Sequence, residues 1–216
     1  MDGAGNVYVS DTITVGTYPP GLGVYKETLQ ANGAYTKTEI GYGFDAPSIA
    51  VDGGGNIYVA ESYTNTIFKE TLRPDGSYVQ TQLDDGIYGP TGIAVDGAER
   101  IYVTSSVGYN ENGAIFRLTP ANGKYKETQV GNSYADLFGI AIDGEGNVYV
   151  AAQGGGTIPS GIIEELLQPN GSYLQTMTGG NWITPVAVAV DGGGNLYVSD
   201  QGNHTVYELD LANPPH

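Results

Sequence analysis

Tyrosine, tryptophan and acidic side chains gather in the parts of this sequence that vary most in length and composition. Aromatic faces stack on sugars while carboxylates take their hydroxyl groups, so such a surface suits a glycan, and a peptide or protein loop can use it too. The alternative is that these rings pack against strand ends. The predicted ligand-binding residues are Tyr18, Tyr42, Tyr63, Asp84, Asp85, Tyr88, Tyr109, Glu111, Tyr134, Asp136, Trp182 and His204.

Groups suited to catalysis are few. The chain has no cysteine, which excludes a disulfide framework, a thiolate zinc site and a cysteine nucleophile, and its two histidines are His204 and His216. Asp84 and Asp85 are adjacent and could form a carboxylate pair, but a solvated pair of loop charges is the expected interpretation. The sequence therefore predicts no catalytic residue, no metal ligand and no cofactor.

Five turns of the form Asp-Gly-x-x-Asn, with Arg100 replacing Asn in one of them, invite comparison with calcium-binding loops. Calcium takes about six to eight oxygen ligands, whereas each turn supplies one Asp and usually one Asn. The aspartates are instead expected to cap their own hairpins, and Gly53 and Gly192 to need a positive φ. The turn aspartates are Asp2, Asp52, Asp96, Asp143 and Asp191.

These turns belong to an internal repeat with a period of about 45 residues. A second motif, of the form Asn/Asp-Gly-x-Tyr, follows in the first four copies and ends at Tyr35, Tyr78, Tyr125 and Tyr173. The predicted copies span residues 1–41, 42–85, 86–132, 133–179 and 180–216, which together form a single domain covering residues 1–216.

Each copy contains four short strand-like runs separated by turn signals. The first two runs are almost continuously apolar, the third is mixed and the fourth alternates polar with apolar residues, as expected for a sheet whose last strand is exposed. A four-stranded antiparallel meander repeated in this way predicts a blade of a β-propeller. The first copy lacks its first strand and the fifth its last, so the propeller is expected to belong to a larger propeller or assembly.

The repeat resembles the NHL-repeat family of β-propellers. The fifth copy carries the resemblance in the segment Pro185-VAVAVDGGGNLYVSDQGNHTVYEL, and the other copies keep its central Asp-Gly and Tyr-Val positions. The predicted fold is therefore an all-β propeller of about five NHL-like four-stranded blades, with the first and last blades incomplete. The resemblance implies a binding scaffold or, in some relatives, a lyase or hydrolase, and it makes His204 a consensus turn residue.

The net charge of the chain is −16, with 8 basic and 24 acidic side chains. Nucleic acid and anionic membrane surfaces are disfavoured as partners, because both attract Lys and Arg. No apolar run is long enough for a transmembrane helix, and no signal peptide is recognised after Met1. A cysteine-free, acidic chain rich in Gly, Tyr and Thr is typical of an extracellular or periplasmic repeat protein.

The function predicted first is that of a non-enzymatic binding or assembly scaffold. Its aromatic and acidic loop face would bind a glycan, a peptide or a protein, and its open blade edges would permit a homo-oligomer formed by strand pairing. The alternative is a propeller lyase or lactone hydrolase that uses a divalent metal.

Overall fold

The computed structural model describes residues 4–11, 23–42, 48–84, 86–106, 113–134, 136–154, 159–178 and 180–210. The ordered elements of these residues are all β-strands, and they form five antiparallel sheets. No helix in the described part of the chain is long and apolar enough to cross a membrane.

The chain divides into two compact units, residues 1–90 and 91–216. The first unit contains sheets 1 and 2. Sheet 1 comprises β1 (Val7–Asp11), β2 (Gly23–Leu29) and β3 (Tyr35–Tyr42), and sheet 2 comprises β4 (Ser48–Val51), β5 (Ile57–Glu61), β6 (Thr66–Leu72) and β7 (Tyr78–Asp84).

The second unit contains sheets 3 to 5, apart from Pro90 at the start of sheet 3. Sheet 3 comprises β8 (Pro90–Val95), β9 (Ile101–Ser105), β10 (Gly113–Ala121) and β11 (Lys124–Tyr134). Sheet 4 comprises β12 (Asp136–Ile142), β13 (Val148–Gln153), β14 (Gly161–Leu167) and β15 (Tyr173–Thr178). Sheet 5 comprises β16 (Pro185–Val190), β17 (Leu196–Asp200) and β18 (Thr205–Leu209).

Strand order in every sheet follows the chain, as in an up-and-down propeller blade. Within the described residues, sheet 1 lacks a strand before β1 and sheet 5 lacks one after β18. The predicted fold class, an all-β propeller of five blades with the first and last incomplete, is confirmed.

The turn aspartates that the structure describes, which exclude Asp2, cap their hairpins as predicted. Asp52 Oδ1 accepts the amide hydrogens of Gly54 and Asn56, both at 2.9 Å, while Oδ2 accepts from the Asn56 side chain at 2.8 Å and from the Tyr58 hydroxyl at 3.1 Å. The same bonds recur around Asp143 and Asp191. This network explains why Asp, Asn and Tyr recur at this spacing in the repeat.

The prediction for the turn glycines is wrong by two positions. Gly53 and Gly192 are not in the left-handed region, which is occupied instead by Gly55 (φ 79°) and Gly194 (φ 87°). The hairpin closes with a hydrogen bond from the Gly55 amide to the Asp52 carbonyl. Gly55 is therefore the turn residue whose backbone must adopt a positive φ.

Apolar side chains fill the space between neighbouring sheets in the second unit. We call the face of a sheet that meets the next sheet along the chain its forward face, and the opposite face its backward face. Forward residues of sheet 4 pack against backward residues of sheet 5 in one cluster, formed by Ala141, Tyr149, Ala151, Ile162, Val188, Leu196 and Val198. An equivalent cluster joins sheets 3 and 4, formed by Tyr102, Ile115, Val130, Leu137, Ile140, Val148, Val150, Ala152 and Ile163.

Candidate functional site at the loop end of the sheets

The connections between second and third strands, and those that lead from one sheet to the next, lie at the same end of each sheet because successive strands are antiparallel. We call this the loop end. The predicted site residues described there are Tyr63, Asp84, Tyr88, Tyr134, Asp136, Trp182 and His204. Tyr18, Asp85, Tyr109 and Glu111 lie outside the described residues, and of Tyr42 only the backbone is described.

In the first unit, the loop end of sheet 2 carries two exposed tyrosines. The side chains of Tyr63 and Tyr88 are 81% and 66% exposed. Their loops are tied together, because the Gly89 amide donates a hydrogen bond to Asn65 Oδ1 at 2.8 Å. Asp84, on the last strand of the same sheet, accepts the Gly86 amide hydrogen at 2.7 Å. Three predicted site residues are therefore present at one end of this sheet.

Buried Glu61 holds the Tyr63 loop in place. Its carboxylate accepts the amide hydrogens of Tyr63 at 3.0 Å and Thr64 at 2.6 Å. Because both oxygens are used in this way, Glu61 acts as a brace for the loop.

In the second unit, buried Asp200 has the equivalent position at the end of β17. It accepts amide hydrogens from Ile183 and Thr184, both at 2.9 Å, and from Gly202 at 3.0 Å. Burial raises the pKa of the Asp200 carboxyl, but the hydrogen bonds from Ile183, Thr184 and Asn203 outweigh it, and the pKa lies below its ordinary value. Asp200 is thus held ionised and joins the loop before β16 to the loop before β18.

Trp182 and His204 lie on these two joined loops. The Asn203 side chain, next to His204, donates a hydrogen bond to the Asn181 carbonyl, next to Trp182, at 2.9 Å. Asn203 also donates to Asp200 Oδ2 at 2.8 Å. The structure therefore brings these two predicted site residues to neighbouring positions.

The Trp182 ring is half-buried and makes packing contacts. It meets the Tyr207 ring edge-on, with centroids 5.3 Å apart and an interplanar angle of 83°, and it packs against the cluster between sheets 4 and 5. Its indole Nε1 is buried without a hydrogen-bond partner among the described residues. The ring therefore contributes to packing in this position.

His204 adopts a left-handed backbone conformation (φ 52°), as does Asn65 (φ 57°) at the equivalent position of sheet 2. Asn and His tolerate this region better than most residues, so the turn accounts for part of the sequence preference. The side chain of His204 is exposed, and its ring makes no hydrogen bond with another described residue. The imidazole is therefore free to act on a ligand.

Tyr134 and Asp136 flank the connection between sheets 3 and 4. The Tyr134 hydroxyl donates to Met177 Sδ at 3.4 Å, and burial raises its pKa, so this tyrosine faces the neighbouring sheet. Asp136, the first residue of β12, is exposed. Of the pair, Asp136 is the one presented to solvent.

Sequence reasoning missed a buried carboxyl between sheets 3 and 4. Glu165, on β14, is fully buried, and neither carboxyl oxygen has a hydrogen-bond partner among the described residues. It lies against Gly131, whose φ of 64° belongs to an irregular stretch of β11. Burial raises the pKa of Glu165 to about 7. The signal in the sequence was a charged residue in the run Ile162-IEELL, where alternation places Glu165 on the same strand face as the apolar residues Ile163 and Leu167.

Other polar groups share this layer. The Tyr102 and Tyr173 hydroxyls are 3.2 Å apart, and the Arg117 guanidinium lies over the Tyr173 ring at 5.9 Å. Gln175 accepts a hydrogen bond from the Asn132 side chain at 2.8 Å, but its own Nε2 has no partner among the described residues. Some polar atoms in this layer therefore lack a hydrogen-bond partner among the described residues.

The described residues do not fit the divalent metal of the alternative prediction. They contain no group of three or more His, Asp or Glu side chains that could share a cation. The two acids at the ends of second strands, Glu61 and Asp200, already use their oxygens on amides of their own loops.

Replacing Asp200 by asparagine should reduce the free energy of unfolding by about 1–2 kcal/mol, because one oxygen becomes an N–H group that faces backbone donors. Urea unfolding at neutral pH measures the change. The matched control is Asp75→Asn, since Asn170 already accepts the equivalent hydrogen bond in sheet 4 and the change should be nearly neutral. Equal losses in the two variants would show that Asp200 does not brace its loops.

No protein-family model matches the chain, and no curated protein matches its sequence. Solved structures do match. A gluconolactonase from Xanthomonas campestris has 17% identity and a TM-score of 0.64, over 88% of this chain and 66% of its own. A glucose dehydrogenase has 15% identity and a TM-score of 0.64, over 92% and 74%. Virginiamycin B lyase from Staphylococcus aureus has 17% identity and a TM-score of 0.56, over 88% and 64%.

These matches are similarities of fold, and the chain spans less than two thirds of the gluconolactonase. The chain therefore has a propeller fold, and its structural neighbours include a gluconolactonase and a virginiamycin B lyase. The prediction of a non-enzymatic scaffold is wrong, because the matched structures with stated activities are enzymes. The error arose because His204 was predicted as a ligand-binding and turn residue without a catalytic role, and the repeat motif alone does not distinguish an enzyme from a scaffold.

Proposed function

We propose that this chain is part of an enzyme that opens a cyclic ester in a neutral, sugar-like molecule, with His204 as general base. The observation that carries the proposal is the free His204 ring beside the Trp182 loop, with both loops braced by buried Asp200. The matched gluconolactonase and virginiamycin B lyase support an activity of this class for the fold.

The chemistry needs a base that works near neutral pH, and imidazole is the side chain whose ordinary pKa suits this. His204 would take a proton from water as the water oxygen attacks the ester carbonyl. The ring C–O bond then breaks, and the departing alkoxide oxygen recovers that proton from the imidazolium. Atoms and charge balance without a cofactor.

The substrate should be neutral, because a chain with a net charge of −16 repels anions. Trp182 supplies a half-buried aromatic ring, and Ile183 beside it is an exposed apolar side chain. A polyhydroxylated lactone ring offers both an apolar face and hydroxyl acceptors for such a surface.

The test is His204→Asn assayed on a panel of neutral sugar lactones. Because Asn65 adopts the same left-handed conformation in sheet 2, asparagine should keep the turn and the melting temperature while kcat/KM falls about tenfold or more. The matched control is Asn65→His, which should leave activity unchanged. Unchanged hydrolysis in a folded His204→Asn protein, or no turnover of any lactone by the unmodified chain, would reject the proposal.

We further propose that the blades are of the NHL type and that the protein acts outside the cytoplasm, as an extracellular or periplasmic enzyme without nucleic acid or membrane partners. The Asp-x-x-Asn-His segment at Asp200–His204 supports the first proposal, and the acidic, cysteine-free composition supports the second. Fractionation of the native organism tests the location.

A further inference from the structure

An Asn-Gly dipeptide forms the turn between β10 and β11. Ala121 pairs with Lys124 at the end of the ladder, so Asn122 and Gly123 make up the whole loop. Both have a positive φ, of 51° and 76°, as a type I′ hairpin turn requires. Because both residues are exposed, this tight turn faces solvent.

Two other hairpins carry the same dipeptide in a different turn. In sheet 1 the Gly33 amide donates a hydrogen bond to the Gln30 carbonyl at 2.9 Å, and in sheet 4 the Gly171 amide donates to the Gln168 carbonyl at 2.8 Å. The nitrogen of the glycine that follows asparagine is therefore held in both of these turns.

The asparagine side chains of these two hairpins are held as well. Asn32 Oδ1 accepts the Ala34 amide hydrogen at 3.0 Å. Asn170 Oδ1 accepts hydrogen bonds from the Ser172 amide at 3.0 Å and from the Ser172 hydroxyl at 2.7 Å. Rotating either carboxamide toward the next backbone nitrogen would therefore break hydrogen bonds.

The corresponding groups are unbound in the turn of sheet 3. With the other described residues, the Asn122 side chain makes no hydrogen bond and the Gly123 amide donates none. The backbone explains the difference, because a two-residue turn is closed by the residues that flank it, Ala121 and Lys124, which leaves the Gly123 amide to solvent. The carboxamide and the nitrogen that follows it are thus both free to react.

We propose that Asn122 is a site of spontaneous deamidation and that it reacts faster than Asn32 and Asn170. The Gly123 nitrogen, after losing its proton to hydroxide, attacks Cγ of Asn122. The new N–Cγ bond forms while the bond from Cγ to the side-chain nitrogen breaks, and that nitrogen leaves as ammonia with a proton from water. Gly123 has no Cβ to obstruct the attack.

Water then opens the five-membered imide ring at either of its carbonyl carbons, which yields aspartate or isoaspartate. The whole reaction consumes one water and releases one ammonia, without oxidation or reduction. Both products add a negative charge to the turn, and isoaspartate also lengthens the main chain of a two-residue loop, which disturbs the pairing of Ala121 with Lys124. The proposal does not depend on the enzymatic function.

Peptide mapping of the whole protein, after incubation in mildly alkaline buffer, tests the proposal. Trypsin releases Asn122 within residues 118–124 and Asn32 within residues 27–37, and chymotrypsin isolates Asn170. The gain in mass from replacing NH₂ by OH should accumulate at Asn122 about five times faster or more than at Asn32 or Asn170, because those two must first break hydrogen bonds. Equal rates, or a slower reaction at Asn122, would overturn the proposal. Asn112, which also precedes a glycine, is followed separately in residues 101–117.

The matched control is the same experiment in guanidinium chloride, which removes the turns but keeps the three Asn-Gly sequences. The three rates should then agree within about twofold. A preference for Asn122 that persists in the unfolded chain would overturn the proposal, because its cause would be the neighbouring sequence.

Removing one protecting hydrogen bond gives an independent measurement. Ser172→Ala deletes the hydroxyl that binds Asn170 Oδ1, and in the folded protein it should raise the rate at Asn170 about twofold or more while the rate at Asn122 stays unchanged. An unchanged rate at Asn170 would contradict protection by these hydrogen bonds and, with it, the proposed ranking of the sites.

Discussion

Replacing Gly131 by alanine should lower the free energy of unfolding by about 3 kcal/mol or more. Gly131 has a φ of 64°, a conformation that costs an alanine roughly 1 kcal/mol. A Cβ built there would also overlap Glu165 Oε1, whose carboxyl is fully buried and cannot move into solvent without breaking the contact between sheets 3 and 4. Urea unfolding followed by circular dichroism measures the loss.

The matched control is Gly171→Ala. Gly171 also has a positive φ, of 82°, but nothing lies within 4 Å of a Cβ built on it, so only the conformational cost of about 1 kcal/mol should be seen. Combining Gly131→Ala with Glu165→Ala should recover part of the loss if the overlap is its cause. Similar losses in Gly131→Ala and Gly171→Ala would contradict this account of the site.

The blade could be predicted because each of its strands and turns carries a local signal that is repeated along the chain. The Asp-Gly turns, the apolar first and second strands and the polar fourth strand each indicate the same meander. Sheets 2 to 4 contain all four of its strands, and the described parts of sheets 1 and 5 contain three. The positive φ at Gly55 was missed because a run of three glycines does not show which of them closes the hairpin.

The candidate site was predicted less well because it depends on which loops meet. The sequence marks Trp182 and His204 as unusual but does not show that Asn203 and Asp200 join their loops. Trp182 is a packing residue as well as a site residue, and Tyr134 faces Met177. Such contacts join residues about 20 to 40 positions apart, beyond the reach of strand periodicity.

Glu165 was missed for a different reason. Strand periodicity places its side chain on one face of β14 but does not tell whether that face is covered. Repeat-equivalent Glu70 is also buried, yet it accepts a hydrogen bond from the Gln80 side chain at 2.9 Å. In sheet 4, Gln175 is paired with Glu165 along the ladder but turns its oxygen to Asn132 instead. The same Glu–Gln pair is thus satisfied in one sheet and unsatisfied in the other.

This difference between the two Glu–Gln pairs should make the stability of the protein depend on pH. Burial raises the pKa of Glu165 from an ordinary 4.5 to about 7, so the folded protein keeps the proton that the unfolded chain loses. The stabilising contribution is complete below about pH 4.5 and is lost as the pH rises to about 7. Glu165→Gln, which carries no charge at any pH, should therefore be about 2–3 kcal/mol more stable than the unmodified chain at pH 8 and nearly equal to it at pH 4.5.

Urea unfolding at several pH values between 4.5 and 8 measures the difference in free energy of unfolding between the two proteins. Because the other carboxyls are common to both proteins, this difference reports on Glu165. Those with lowered pKa values, such as Asp52 and Asp200, titrate below this range. Glu70→Gln is the matched control: burial raises the pKa of Glu70 too, but the hydrogen bond from Gln80 opposes the shift, so its gap at pH 8 should be smaller. A gap for Glu165→Gln that does not change with pH, or that exists only below pH 5, would mean that this carboxyl is ionised in the folded protein and has a partner, with Arg117 across the same layer as the first cation to test by substitution.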